Sequence, residues 1–302
     1  MKVLYGINRV RNLRNPVLAL GVFDGVHRGH INILKSAVLE ARRIKGKSVV
    51  MTFYPHPQKE ESLYSLQHRL LLFERLGIDC CIVVNFTDAF ADMSAQEFIK
   101  EVLAEKIRAR YIFVGNNFRF GKGAKGDLAV LKAASGEYHY KLRAFNVLRT
   151  HNKPVSSTYI RWLIRKGDLS HAQKLLTRPV SILGSVARGN YLGRKIGFPT
   201  ANINPHHEVI PPSGIYAVKI IFGGKKYPGV CYIGKRPTIN NPRFQDQKVH
   251  IEAHIFNFNK NIYNKYLEIQ FIKKIREDRK FLSLTKLAEQ IQKDSLAARK
   301  IL

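Results

Sequence analysis

The stretch VLALGVFDGVHRGH, residues 17–30, passes from an unbroken apolar run into a glycine-rich turn carrying two histidines three residues apart. The apolar run (VLALGVF, 17–23) reads as a buried strand. The residues beyond it place Ile31, Leu34, Val38, Ala41 and Ile44 at the spacing of one helix face. A strand handing over to a helix through glycine is a place where backbone N–H groups and the positive end of a helix meet an anion. Gly25 and Gly29 would let backbone approach a ligand closely. His27 and His30 are neighbours on that turn and can converge on a phosphate, donating to charge that develops there. A glycine turn with two incidental surface histidines is the plainer alternative for these residues taken alone.

Outward from that junction the first half of the chain keeps alternating. Strand-like runs at 48–53 (SVVMTF), 80–86 (CCIVVNF) and 111–115 (YIFVG) are separated by helix-like segments at 65–77 and 93–109. Such alternation predicts a doubly wound parallel sheet, in which ligands bind beyond the carboxyl ends of the strands. After about residue 180 the pattern changes. SILGSVARG, GIYAVKIIF, YPGVCYIG, HIEAHIFNF and YLEIQFIKKI are β-type runs divided by Gly, Pro and Asn, and helical spacing returns only near the C-terminus. A small β-barrel or sandwich closed by one helix is expected there. Two short helices, 157–166 and 170–177, precede Arg178-Pro179, which sets the expected domains at 1–178 and 179–302.

The chain has 302 residues, ample for two cores, and carries 51 Lys and Arg against 22 Asp and Glu, a formal net charge of +29. That field suits anionic partners, whether phosphorylated ligands, nucleic acid or an anionic membrane, and chooses among none of them. Three cysteines (Cys80, Cys81, Cys231) supply neither a CxxC metal pair nor a disulfide framework, which points to a reducing cytosol. No apolar run reaches membrane-spanning length, so a soluble, cytoplasmic protein without membrane partners is expected.

Four further stretches carry chemistry. VGNNFRFGKGAKGD (114–127) follows a strand at the ligand-binding end and combines Asn117, Arg119, Lys122 and Lys125 with four glycines. VSSTYIR (155–161) puts Ser156, Ser157 and Thr158 at a helix start with Arg161 one turn inside; the hydroxyls could merely cap, and the guanidinium could clamp a phosphate. In GRKIGFPTAN (193–202), Thr200 and Asn202 alternate along an extended chain and face the same way. A hydroxyl and an amide oxygen are hard-cation donors, and Mg²⁺ needs few protein ligands when phosphates supply the rest. HIEAHIF (250–256) sets Glu252 on one face of a strand with His250 and His254, where it could be an ordinary solvated carboxylate or a general base toward an attacking hydroxyl.

HxxH after the first strand, with SSTYIR further on, resembles the nucleotidyltransferase superfamily. TFYPHP (52–57) and NNFRFG (116–121) narrow the likeness to the FAD synthetase module of bacterial bifunctional riboflavin kinase/FMN adenylyltransferases. GRKIGFPTAN, PPSGIYAV (211–218), GVCYIGKRPT (229–238), HIEAHIFNFNKNIY (250–263) and REDRKF (276–281) resemble the riboflavin kinase module, in the family's order. The resemblance implies two activities with riboflavin, FMN and ATP as small-molecule substrates and Mg²⁺ as cofactor. In the first half it implies phosphate binding by Gly21, Phe23, Asp24, Gly25, Gly29, Ser157 and Thr158. There His27, His30 and Arg161 would act in catalysis, and Asn117 and Arg119 would contact FMN. In the second half it implies ATP contacts from Gly193, Lys195, Gly197 and Pro199, metal ligation by Thr200 and Asn202, Glu252 as base, and Arg276 at the flavin. Ala124 stands where the family commonly has arginine, and Asp278 where it commonly has glutamate. Activity of only one module, or a basic nucleic-acid-binding protein, are the alternatives; the basic residues are scattered and form no reading motif, so no specific nucleic acid is expected.

Overall fold

Val17 to Leu20 have almost no solvent exposure, and they sit in the interior of a six-stranded parallel sheet. The computed structural model describes residues 1–57, 62–150, 153–188, 197–235 and 249–302. Its contacts divide into two units: Met1–Ser62 with Leu66–Tyr159, and Leu63–Ser65 with Ile160–Leu302.

In the first unit the strands are β1 (Lys2–Tyr5), β2 (Pro16–Leu20), β3 (Lys47–Tyr54), β4 (Cys80–Asn85), β5 (Tyr111–Gly115) and β6 (Lys141–Phe145), in spatial order β1-β4-β3-β2-β5-β6. All five pairings are parallel. The helices are α1 (Arg28–Arg43), α2 (Leu66–Arg75), α3 (Asp88–Ala91), α4 (Ala95–Glu97) and α5 (Leu128–Ala134). The chain leaves β2 toward β3 on one side and later returns to β5 on the other. The order of strands therefore reverses between β2 and β5, and the loops after these two strands flank that crevice.

The segment expected as a helix over 93–109 differs in kind. A Ser94/Glu97 capping box starts α4, but Phe98–Ile107 continues as π-helix and stops at Arg108, whose φ is 55°. Apolar spacing does not distinguish the wider π turn from the α turn, and π turns concentrate at functional sites.

In the second unit α6 (Ser157–Lys166), which begins in the first, and α7 (Leu169–Leu176) lead into a closed antiparallel barrel. After a two-stranded ribbon in the first unit, β7 (Arg149–Thr150) with β8 (Lys153–Pro154), the barrel strands are β9 (Ser181–Ala187), β10 (Ala201–Asn204), β11 (Gly214–Phe222), β12 (Lys225–Lys235), β13 (Val249–Ile255) and β14 (Tyr266–Arg276). They close in the order β10-β13-β12-β11-β14-β9. Helix α8 (Leu284–Ile301) covers one side, burying Ala298 with Ile215, Ala217, Val230 and Phe256.

Residues 63–65 are held inside this second unit. Glu208, almost fully buried, accepts from the Ser65 N–H and from the Leu183 N–H of β9, each at 2.9 Å. Tyr64 is fully buried beneath the Arg178 guanidinium, 5.3 Å from its ring centre.

Two candidate active sites

The first site begins where β2 ends. Phe23 takes a left-handed backbone (φ 53°), Gly25 another (φ 74°), and the chain enters α1 with His27 as its cap. The Nδ1 of His27 accepts from the His30 N–H at 3.4 Å, and the two imidazoles stack with ring centres 3.6 Å apart. A side chain at Gly29 would come within 3.2 Å of the His27 ring, so the glycine lets the backbone lie close beside the stack. The Phe23 ring stands edge-on to His30 at 5.3 Å. His27, Phe23 and Asp24 are buried, while Gly21, Gly29 and His30 are part-exposed.

Ser157 reaches this turn, its hydroxyl donating to the Asp24 carbonyl at 2.8 Å. Ser156 does the capping, accepting from the Tyr159 N–H. Thr158 and Arg161 follow in α6; Arg161 is buried and falls in the part of the helix belonging to the second unit.

The loop after β5 borders the same switch point. Asn117 lies close over Gly115, where an added Cβ would stand 3.0 Å from its side-chain oxygen. Arg119 pairs with Asp127 at 2.9 Å, and Asp127 also caps α5 by accepting from the Ala129 and Val130 N–H groups. The Val130 N–H foremost, then the Ala129 N–H and Arg119, holds that carboxyl below its ordinary range against slight burial. Ala124 takes φ 58°, the left-handed backbone usually given to glycine.

Sequence reasoning missed two features here. Phe53, Phe86, Phe90, Phe98, Phe120 and Phe118 form a continuous run of ring contacts at 5.5–6.1 Å between centres. The run gathers residues at the end of β3, just beyond β4, in the loop after β5 and at the start of the π-helix, which are far apart in the chain. Arg69 is the second. Its guanidinium is buried in α2 and donates to the Val22 carbonyl at 2.6 Å and to Thr52 Oγ1 at 2.8 Å.

The second site lies on the barrel. Asn202 of β10 stands opposite Glu252 of β13 in the antiparallel register, and the Thr200 hydroxyl donates to Glu252 at 3.3 Å. Thr200 and Asn202 both line one cavity of about 380 Å³, together with Pro199, Phe258, Lys260 and Tyr263. His254 Nδ1 donates to the Pro199 carbonyl at 2.8 Å, which fixes the entry to β10. Gly197 takes φ 84° just before it. Gly193 and Lys195 lie outside the described residues.

Arg276, expected at the flavin, is held by neighbouring groups. It donates to both carboxylate oxygens of Asp294 in α8 (2.8–3.1 Å) and to the Glu277 carbonyl, and it lies over the Phe281 ring. Asp278 accepts from the Tyr232 hydroxyl at 3.1 Å. These contacts tie the segment after β14 to the barrel and to α8. The part played by Asp294, a buried carboxylate inside a helix of alternating charge, had no separate signal in the sequence.

Comparison with known proteins gives a consistent picture. Family models described as FAD synthetase and riboflavin kinase match residues 10–159 and 176–302. Proteins named bifunctional riboflavin kinase/FMN adenylyltransferase are similar over nearly the whole chain. The one from Buchnera aphidicola subsp. Schizaphis graminum is 36% identical, covering 97% of this chain and 96% of its own. That from Escherichia coli K12 is 35% identical, with 99% and 97% covered. That from Bacillus subtilis is 36% identical, with 93% and 91% covered. The crystal structure named macrolide-efflux protein from Streptococcus pneumoniae superposes with a TM-score of 0.83 at 28% identity, covering 99% of each chain. Among the described residues no helix is long and apolar enough to cross a membrane.

Proposed function

Because the chain belongs to the bifunctional riboflavin kinase/FMN adenylyltransferase family, we propose that the barrel carries the kinase chemistry and the parallel-sheet unit the adenylyl transfer. The protein phosphorylates riboflavin to FMN and adenylylates FMN to FAD, using ATP in both reactions. The functional division is placed at 178/179, between α7 and β9.

In the barrel, the 5′-hydroxyl of riboflavin attacks the γ-phosphorus of ATP. A new O–P bond forms, the bond from that phosphorus to the β,γ-bridging oxygen breaks, and ADP leaves. Glu252 takes the hydroxyl proton. The observation that carries this assignment is the meeting of Thr200, Asn202 and Glu252 across the β10–β13 ladder, with Thr200 and Asn202 lining one cavity. Among the described residues no cluster of three or more His, Cys, Asp or Glu could hold a metal. The hydroxyl of Thr200 and amide of Asn202 fit a hard cation whose remaining ligands are phosphate oxygens. Mg²⁺ bound there would neutralise phosphate charge. The protein's own share is orientation: Thr200 holds the Glu252 carboxylate, and His254 holds Pro199 in line.

In the first unit, a phosphate oxygen of FMN attacks the α-phosphorus of a second ATP, and pyrophosphate leaves; no proton moves and no bond to the enzyme forms. His27 and His30 stabilise the charge gathering on the leaving group. The turn from Gly21 to Gly29, clasped by Ser157 with Thr158 beside it, receives the phosphates. Asn117 and Arg119 contact FMN, and the phenylalanine run beside them offers the apolar aromatic surface that a flavin ring requires. A cytoplasmic location belongs with these soluble substrates.

Purified protein incubated with riboflavin, ATP and Mg²⁺, with flavins separated over time, tests the division. His30→Ala should stop FAD formation and leave FMN formation intact, and Glu252→Ala should do the reverse when FMN is supplied to it. Either change stopping both reactions in a folded protein would overturn the two-site assignment.

A further inference from the structure

We propose that Arg69 is a positioning residue for adenylyl transfer, holding the Val22–Phe23 peptide so that its N–H faces the triphosphate. The inference rests on the reading of the first site given above. Arg69 is only 2% exposed and is the largest fully buried side chain among the described residues. It has no carboxylate partner within ion-pair distance among the described residues. Its donors go instead to the Val22 carbonyl (2.6 Å), to Thr52 Oγ1 (2.8 Å) and, at 3.4 Å, to the Phe53 carbonyl. Thr52 also donates to Val22, at 2.8 Å. Two donors therefore converge on one carbonyl at the first step of the glycine turn.

The consequence follows from the planarity of the peptide. In a trans peptide the C=O and the next N–H point in opposite directions. Fixing the Val22 carbonyl against Arg69 turns the Phe23 N–H to the far side of the peptide. That N–H makes no hydrogen bond among the described residues, although Phe23 is buried. A buried backbone donor calls for an acceptor, and a phosphate oxygen at this turn supplies one. The buried cation calls for an anion as well. Asp24 attracts it from beyond contact distance, which only offsets part of the burial that disfavours its charge. Four residues further along α2, Phe73 abuts the Phe23 ring, so the helix backs the turn at two points.

The test uses the full chain with Arg69→Met and Arg69→Lys. Pyrophosphate affinity is read by calorimetric titration, and adenylyl transfer by FAD formation from supplied FMN. Arg69→Met should weaken pyrophosphate binding and lower kcat by about tenfold to a hundredfold while the KM for FMN and the riboflavin kinase rate stay unchanged. Arg69→Lys, which keeps a cationic donor, should recover most of both. Wild-type values in Arg69→Met, or a folded Arg69→Lys as impaired as Arg69→Met, would overturn the proposal. Should Arg69→Met fail to fold, Thr52→Val removes the second donor on Val22 while keeping the cation, and an unchanged pyrophosphate affinity would then refute positioning. If the wild type forms no FAD, the functional reading fails, and the pyrophosphate titrations still decide the role of Arg69.

Discussion

Thr200 does two things at once: its hydroxyl donates to Glu252 and the residue lines a cavity. Thr200→Val keeps the shape of the side chain and removes the hydroxyl. We expect FMN formation to fall by about tenfold to a hundredfold in kcat/KM with little change in fold, since valine alters packing slightly but forfeits the hydrogen bond. Steady-state kinetics beside a melting curve would separate the two effects. Residues of this kind were legible in the sequence because their types and spacing are unusual: a hydroxyl and an amide two apart, or two histidines flanking a glycine. Arg69 was not. In a chain of net charge +29 one more arginine in a helix reads as solvated surface, and only the fold shows it to be buried.

Among the elements, the central strands announced themselves, because strands covered on both faces read as unbroken apolar runs. The edges did not. In β1 the apolar run is only three residues long, in β6 charged residues interrupt it, and each strand pairs on one side only. The strand expected over 17–23 ends at Leu20, because Phe23 turns into left-handed backbone. The junction of β3 and β4 shows how the interior strands are locked at their starts. Asp79 accepts from the Ser48 N–H at 2.9 Å and from its hydroxyl at 2.8 Å, with Lys47 alongside at 3.3 Å. Burial alone would raise this carboxyl, but the Ser48 bonds and Lys47 outweigh it and hold it below its ordinary 3.8. Near that pH the unfolded chain binds more protons than the native state. The stabilisation is therefore complete above 3.8 and is lost as acid titrates the folded carboxyl. Denaturant melts at a series of pH values should show Asp79→Asn less stable than wild type near neutrality, with the gap closing in acid.

At the scale of the whole molecule the sequence divides cleanly into an alternating half and a β-rich half, and the two architectures follow. What it conceals is the excursion of residues 63–65 into the second unit, a partnership across 143 positions that no local pattern encodes. Glu208→Gln offers an NH₂ to one of two backbone N–H groups that need an acceptor. It should cost about 1–3 kcal/mol, read as a lower denaturation midpoint for the barrel's tyrosine signal. The same strap fixes an order of events during synthesis. Ser65 and Tyr64 leave the ribosome long before Glu208, and at about 5–20 residues per second the interval is roughly seven to thirty seconds. Throughout that time the apolar ring of Tyr64 has no barrel to enter. Completion of the second module is thus also the moment at which a piece of the first half of the polypeptide is finally put away.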